Sequence, residues 1–439
     1  VPPVLHLNPI EVDTSKKRSE YRVAVVGCGH KGIFFANAFA EAGFNVVCTD
    51  ADASVVKKLA KGKTAFANPA ADAKLRNHVV AEKINVTGDH KKAVSQSDIV
   101  IVAINTKVDE QKKTDYNGLL GTCKQVGAAL RQGALVVYCG ISSLGFMEST
   151  MKELLENTSG LKAGSNFGLA YCPVISTDIP LAKTELTLSA TDESSLKSAE
   201  ILLKTLTANI RLLSDLKIAE VAALFAIAKE DTTTALNNEL AIFCESANID
   251  YYKVLEALKL NYPEFRPTIN EEYKHEAYLL IEDSENLNAK LRLPVLARQI
   301  NENMVKHTVN LTQRALRGCG KTLRRAHVAV LGQFSSSSAT STYVKLIEQK
   351  GAIVTVYDPA LKKESRSSVK TGLSDAVKGA DCTVLLFYRE QFNRLNLKKL
   401  KSLMKSPPII VDLVGKFEPA QAETEGFIYA GLGRGTDKK

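Results

Sequence analysis

What this chain lacks narrows its class before any motif is read. Its eight cysteines, at positions 28, 48, 123, 139, 172, 244, 319 and 382, never form a CxxC pair and never stand at finger spacing with a histidine. A zinc site is therefore not expected, nor is a disulfide framework. No apolar run approaches the roughly 18 residues of a membrane helix, and the opening VPPVLHLNPIEVDTSKKRSE has no signal-peptide core. The expected location is the cytoplasm, with no membrane partner. The lysines of LNLKKLKSLMK are not interleaved with aromatic residues, so that helix reads as a solvated face and nucleic acid is not an expected ligand. Glycine is missing altogether between Gly168 and Gly318, and there the pattern is mostly helical.

What is present is ordinary in amount and specific in order. At 439 residues, 45% hydrophobic and 24% charged, the chain is long enough for two or three soluble domains. Its net charge of +9 suits an anionic ligand such as a nucleotide diphosphate, although a mild excess speaks first to solubility.

The sharpest local signal is VAVVGCGHKGIFFANAFAEAGFNVVCTD, Val23 to Asp50. It reads as strand, glycine-spaced turn, helix, strand and a terminal acid, the order of a dinucleotide-binding unit. Gly27 permits the tight turn, Gly29 lets backbone approach a pyrophosphate, and Gly32 lets the helix pack on the strand. The helix start offers free N–H groups to phosphates, and Asp50 can accept from a ribose hydroxyl. Cys28, His30 and Lys31 fill the rest of the loop and complete the candidate cofactor set. NAD is the expected cofactor.

Further apolar strands follow at SDIVIVAI, ALVVYC and FGLAYCP, spaced by helical segments, which predicts a doubly wound parallel sheet. From about Leu196 to Leu316 the pattern turns helical, with IAEVAALFAIAKEDTTTALNNELAIFCESANI as one long candidate helix that links domains or pairs with a second subunit. A second nucleotide-like unit opens at HVAVLGQFSSSSATSTYVKLIEQKGAIVTVYDP. VAVVG is answered by VAVLG and GFNVVCTD by GAIVTVYD, which predicts two Rossmann-like α/β domains flanking a helical centre. The expected bounds are an extended lead-in over 1–20, a dinucleotide domain over 21–196, a helical dimerisation domain over 197–317 and a C-terminal domain over 318–439.

Read together, GCGHKGIFFANAFAEAGFNVVCTDAD, LLENTSGLKAGSNFGLAYCP, TALNNELAIFCESANID, LARQINENM, LIEQKGAIVTVYDP and GFIYAGLGRG resemble the UDP-sugar 6-dehydrogenase family, which includes UDP-glucose, GDP-mannose and UDP-N-acetylmannosamine dehydrogenases. The resemblance runs from about Tyr21 to Gly435. It implies an NAD-binding N-terminal domain, a central dimerisation domain and a C-terminal domain that holds the nucleotide of the substrate. It also implies a reaction in which a sugar C6 alcohol becomes a carboxylate through two NAD-dependent oxidations and a cysteine thioester. Thr106, in the turn AINTKVD, matches a further cofactor-contacting position.

The positions that carry the family's chemistry are replaced. The segment that corresponds to the cysteine loop, PEFRPTINEEYKHEAYLL, has no cysteine, and none lies anywhere between Cys244 and Cys319. On the central helix Ala223 and Ile227 stand where the family has lysine and asparagine. Lys229 lies six residues beyond Ala223, a rotation of about 240° that puts it on another face. Ile141 replaces a threonine and Val174 a glutamate. Cys139 and Cys172 sit near these turns, but without a base beside them they read as buried thiols.

The nucleotide-sugar loop is FSSSSATST, without the family's lysine, acids or arginine, and Val414 stands at an arginine position. A run of serines at a helix start is a capped turn first and a phosphate site second. General acid–base and nucleophilic groups each contribute orders of magnitude in rate, so no catalytic residue is assigned. The expectation is a pseudoenzyme that keeps NAD(H) and lacks the two-step oxidation, forming a homodimer or pairing with an active relative, with a nucleotide sugar as a further ligand. The alternative is an NAD-dependent oxidoreductase that uses new groups, with Lys229, Glu272 and His275 as candidates.

Overall fold

The computed structural model describes residues 3–66, 68–109, 111–260, 265–269, 276–332, 339–358, 369–370, 372–387, 392–393 and 395–435. The backbone divides into two compact units, Val1–Ala228 with His275–Lys290, and Lys229–Lys274 with Leu291–Lys439. Both are α/β, as the alternation of apolar strands and helices predicts.

The first unit is built on an eight-stranded sheet. Its strands are β1 Arg22–Val26, β2 Asn45–Thr49, β3 Ile84–Thr87, β4 Ile99–Val102, β7 Leu135–Tyr138, β8 Gly168–Tyr171, β9 Leu186–Ala190 and β10 Ile210–Leu212. A short hairpin, β5 Lys107–Val108 with β6 Thr114–Asp115, stands apart from it. The spatial order β10-β9-β8-β7-β4-β1-β2-β3 places β1 between β2 and β4, all parallel. Chain direction across the sheet therefore reverses at β1 and β4, the crevice where open parallel sheets hold ligands. β1, β4, β7 and β8 are buried at nearly every position, which is why they read as continuous apolar runs.

Residues 3–20 differ from the expected extended lead-in. They form short helical turns at Val4–His6, Pro9–Glu11 and Ser15–Arg18, and Val4, Leu5, Leu7 and Val12 are buried. Leu5 donates its N–H to the Gly133 carbonyl at 3.1 Å, and the Ser198 hydroxyl donates to the Leu5 carbonyl at 2.9 Å. Prolines suggest extension when read locally, but four apolar side chains at irregular spacing gain more by packing against the helix Glu193–Lys204 and the core beside it than by staying in water.

The second unit carries a six-stranded parallel sheet: β11 His327–Leu331, β12 Ile353–Tyr357, β13 Val369–Lys370, β14 Cys382–Leu385, β15 Ile409–Asp412 and β16 Ile428–Gly431, in the order β13-β12-β11-β14-β15-β16. The echo between VAVVG and VAVLG thus corresponds to the same strand order, with β11 in the place of β1.

Two long helices belong to the helical centre, Leu216–Ser246 and Arg292–Arg317. The first has no glycine or proline over 31 residues. Within the second unit the two helices share a buried polar chain. The Arg298 guanidinium meets Asp231 at 2.9 Å, Asn301 donates to the same carboxylate at 2.9 Å, and Asn238 donates to Asn301 at 3.0 Å. Buried charges of this kind persist only when paired and hydrogen-bonded. Among the described residues no helix is long and apolar enough to cross a membrane.

Candidate functional site

The glycine loop after β1 is tight on its inner side and open on its outer side. Gly27 has φ +90°, a left-handed value that favours glycine, and its N–H bonds the Thr49 carbonyl at 2.9 Å. A Cβ on Gly32 would lie 1.9 Å from the Gly27 carbonyl oxygen, whereas one on Gly29 would meet nothing within 4 Å. So the helix His30–Ala42 starts hard against the strand, and its N-terminus at Gly29 faces open space. That cradle fits a dinucleotide pyrophosphate, which needs close backbone approach and unshielded N–H groups.

Asp50, at the end of β2, accepts the Cys28 N–H at 2.8 Å and the Asp52 N–H at 2.9 Å. These bonds fix the carboxylate beside the loop with acceptor capacity to spare for a ribose hydroxyl. Cys28 offers only backbone here: its thiol is fully buried, 3.4 Å from the Thr49 carbonyl. The neighbouring Cys48 and burial hold that thiol well above its ordinary pKa. The His30 ring stacks on Phe66 with centroids 3.7 Å apart. Burial lowers the imidazole below its ordinary value, and the Asp178 carboxylate only partly offsets this. Lys31 is 7% exposed, and its charge is felt at the Cys139 thiol. The Thr106 hydroxyl is buried and donates to the Ile141 carbonyl at 2.8 Å, tying the turn after β4 to the turn after β7.

That second turn, CGISSLG, is closed by the protein's own side chains. The Ser143 N–H meets the Tyr116 hydroxyl at 3.1 Å, the Leu144 N–H meets Asp283 at 2.9 Å, and Glu220 takes both the Gly145 N–H at 2.6 Å and the Met147 N–H at 2.8 Å. Asp283 lies on the helix Glu276–Asn286, which also docks on the hairpin: Glu282 accepts from both the N–H and the hydroxyl of Thr114, and Glu285 pairs with Lys113 at 2.8 Å. Glu220 has no exposed surface. Burial raises its pKa from an ordinary 4.5 to about 7, the two N–H bonds oppose the rise, and Glu148 and Asp283 add to it. Both its oxygens are committed to the turn, so Glu220 is a positioning group that no substrate reaches. Asp283 is raised for the same first reason, burial.

The four positions that would carry chemistry by resemblance are apolar and buried: Ile141 is 1% exposed, Val174 2%, Ala223 4% and Ile227 1%. Cys139 and Cys172 are fully buried, and desolvation raises both thiols. Lys229 is exposed on the long helix. Glu272, His275 and residues Phe334–Ser338 of the serine run lie outside the described residues.

In the second unit, Asp412 pins the DLVG turn by accepting the N–H groups of Val414 at 3.2 Å and Phe417 at 2.7 Å. Asn238 accepts the Thr268 N–H at 2.9 Å, which anchors the segment that lacks cysteine to the long helix. Among the described residues no group of three His, Cys, Asp or Glu side chains is placed to hold a metal ion.

Sequence reasoning passed over Glu220 and Asp283. Glu220 did leave a signal, as a lone carboxylate on the apolar stripe Leu216, Ala219, Ala223 and Ile227. Asp283 left none, because its partner is 139 residues away in the chain.

Comparison with known proteins bears on the same two regions. Residues 21–178 match the NAD binding domain of the UDP-glucose/GDP-mannose dehydrogenase family, and residues 336–419 match its UDP binding domain. The chain belongs to this family. Its N-terminal domain is an NAD-binding domain. UDP-N-acetyl-D-mannosamine dehydrogenase of Pyrococcus horikoshii is 27% identical over 431 residues, covering 94% of this chain and 99% of the relative. Protein CapL of Staphylococcus aureus is 28% identical over 411 residues, covering 90% and 95%. Among solved structures, UDP-D-ManNAc dehydrogenase from P. horikoshii superposes with a TM-score of 0.79 at 26% identity, covering 94% of this chain and 99% of that one.

Proposed function

We propose that this family member is a pseudoenzyme that binds NAD(H) and does not carry out the two-step oxidation of a sugar alcohol to a carboxylate. The observation that carries this reading is the replacement of every reacting group at once. No cysteine lies between Cys244 and Cys319, and Ile141, Val174, Ala223 and Ile227 are all buried and apolar. Hydride abstraction from an alcohol needs a base for its proton, and the second oxidation needs a nucleophile to hold the acyl group. The glycine loop and Asp50 supply neither, but they do supply recognition of a dinucleotide. The C-terminal domain would add a nucleotide or nucleotide sugar as a second ligand.

The same reading includes self-association. The part of the long helix that belongs to the second unit exposes Leu236 (55%), Leu240 (44%) and Phe243 (66%), spaced along one of its faces at helical intervals. A stripe of that kind favours a second copy of the chain, or an active relative, laid along it.

Calorimetric titration with NAD and NADH, then with UDP-sugars added, tests the proposal alongside absorbance at 340 nm. Dinucleotide binding with flat absorbance is the expected result. Steady growth at 340 nm with a uronic acid as product would sink it.

A further inference from the structure

The charge of this chain is segregated. Residues 291–439 hold 25 Lys and Arg against 12 Asp and Glu, a net +13, whereas residues 1–290 hold 32 against 36, a net −4. About a third of that excess is gathered at one edge of the second sheet, where β11, β12, β14 and β15 begin: six cations against two acids. Lys321, Arg324, Arg325, Lys350, Lys378 and Lys405 are placed there by the backbone itself. The Arg325 N–H bonds the Gly351 carbonyl at 2.7 Å, the Gly379 N–H bonds Leu403 at 2.8 Å, and the Lys405 N–H bonds Ala380 at 2.9 Å. All six are exposed except Lys321, which is half-buried.

Two acids interrupt the patch. Asp381 is held between Lys321 at 3.0 Å and Lys405 at 3.4 Å, and Glu348 lies two residues before Lys350. Among the described residues Arg324, Arg325, Lys350 and Lys378 make no ion pair. Helix dipoles account for part of the pattern, since Lys350 and Lys378 follow the C-termini of Ala339–Gln349 and Leu373–Val377. They do not account for Arg324 and Arg325, which follow no helix end directly. Arg325 has φ +66°, a left-handed conformation that glycine or asparagine would adopt at less cost.

One apolar side chain stands out of this basic rim. Ile353 is 49% exposed at the first position of β12, and its N–H bonds the Ala326 carbonyl at 2.8 Å, next to the arginine pair. Cations around a protruding aliphatic group match a bilayer surface of anionic lipid, where headgroups draw in Lys and Arg and the acyl boundary takes the side chain. Nucleic acid fits less well: no Phe, Tyr or Trp is interleaved with Lys321, Arg324, Arg325, Lys350, Lys378 and Lys405 to stack on bases. We propose that the N-terminal edge of the second sheet is a docking surface for an anionic phospholipid membrane. It is a peripheral contact, weakened by salt, on the edge opposite the C-terminal strand ends where parallel sheets hold their ligands.

Co-sedimentation of the full chain with phosphatidylcholine vesicles, and with vesicles containing three parts in ten phosphatidylglycerol, provides the test. The protein is expected in the pellet only with the anionic vesicles, and in the supernatant again when salt is raised to about 0.5 M. The triple substitution Arg324→Glu, Lys350→Glu, Lys378→Glu should weaken vesicle binding at least about 30-fold, with the NAD titration unchanged and the melting temperature lowered only by the loss of two favourable charges at helix C-termini. Ile353→Ser should lower what binding survives moderate salt. Equal pelleting with both vesicles would overturn the proposal. So would a triple variant that is still folded and still bound, or capture of a short DNA duplex with vesicles left free.

Discussion

Two regions of the first unit lie at the same end of one sheet and have been treated oppositely. After β1 the loop keeps its backbone bare: nothing would touch a Cβ on Gly29, and Asp50 is fixed by two N–H groups with acceptor capacity left over. After β7 the turn is sealed: Tyr116, Asp283 and Glu220 occupy its N–H groups, and Ile141 below them is 1% exposed. The first region is shaped by what it must admit. The second has filled itself. A bare loop costs stability that packing could have supplied, so it persists where a ligand repays it. A turn whose Ser143, Leu144, Gly145 and Met147 N–H groups are taken by the protein's own side chains does not offer those donors to a substrate.

Three experiments put that contrast at risk. The largest effect is expected from Gly32→Val, because the new Cβ must displace a carbonyl oxygen 1.9 Å away. Separation of the helix from β1 should cost about 3 kcal/mol or more and abolish the NAD signal in calorimetry. A variant that melts like the parent would mean that the helix does not start hard against the strand.

Next in size is Ala223→Lys, which restores the residue expected there by resemblance. With Ala223 only 4% exposed, the new ammonium is both overpacked and desolvated. A loss of about 2–3 kcal/mol in denaturant titrations is expected, with absorbance at 340 nm still flat on UDP-glucose. Appearance of turnover would show that the sealed region is one residue from an active one.

The smallest effect is a slope. Glu220 titrates near pH 7 when folded and near its ordinary 4.5 when unfolded, so the folded state holds its proton more tightly. Its contribution is fully present below about pH 4.5 and is lost as pH rises through about 7, on the order of 2–3 kcal/mol in all. His30, His78 and His90 are all lowered by burial and act with the opposite sign, gaining stability as pH rises. The informative quantity is thus the difference between parent and Glu220→Gln: the parent's melting temperature should fall relative to the variant's between pH 5 and pH 8. Parallel curves would remove Glu220 from the account of the turn.

Much of this was legible along the chain. The spacing of Gly27, Gly29, Gly32 and Asp50 predicts a strand, turn and helix that the structure contains, because each glycine answers a local backbone demand. Continuous apolar runs predict buried parallel strands, and thirty-one residues without glycine or proline predict one long helix. The helical turns of residues 3–20 were not legible, since their stability comes from Gly133 and Ser198. Nor were the partners of Glu220 and Asp283.

The sequence by itself determined the main strands of both sheets, the dinucleotide loop and the missing nucleophile, because periodicity, turn chemistry and residue identity are local properties. Only the tertiary structure decided that the turn after β7 is closed by carboxylates from 75 and 139 residues away. It also decided that scattered lysines and arginines of the C-terminal domain share one sheet edge. Desolvation and proximity are sums over whatever the fold brings together, and neither is written in the order of the residues.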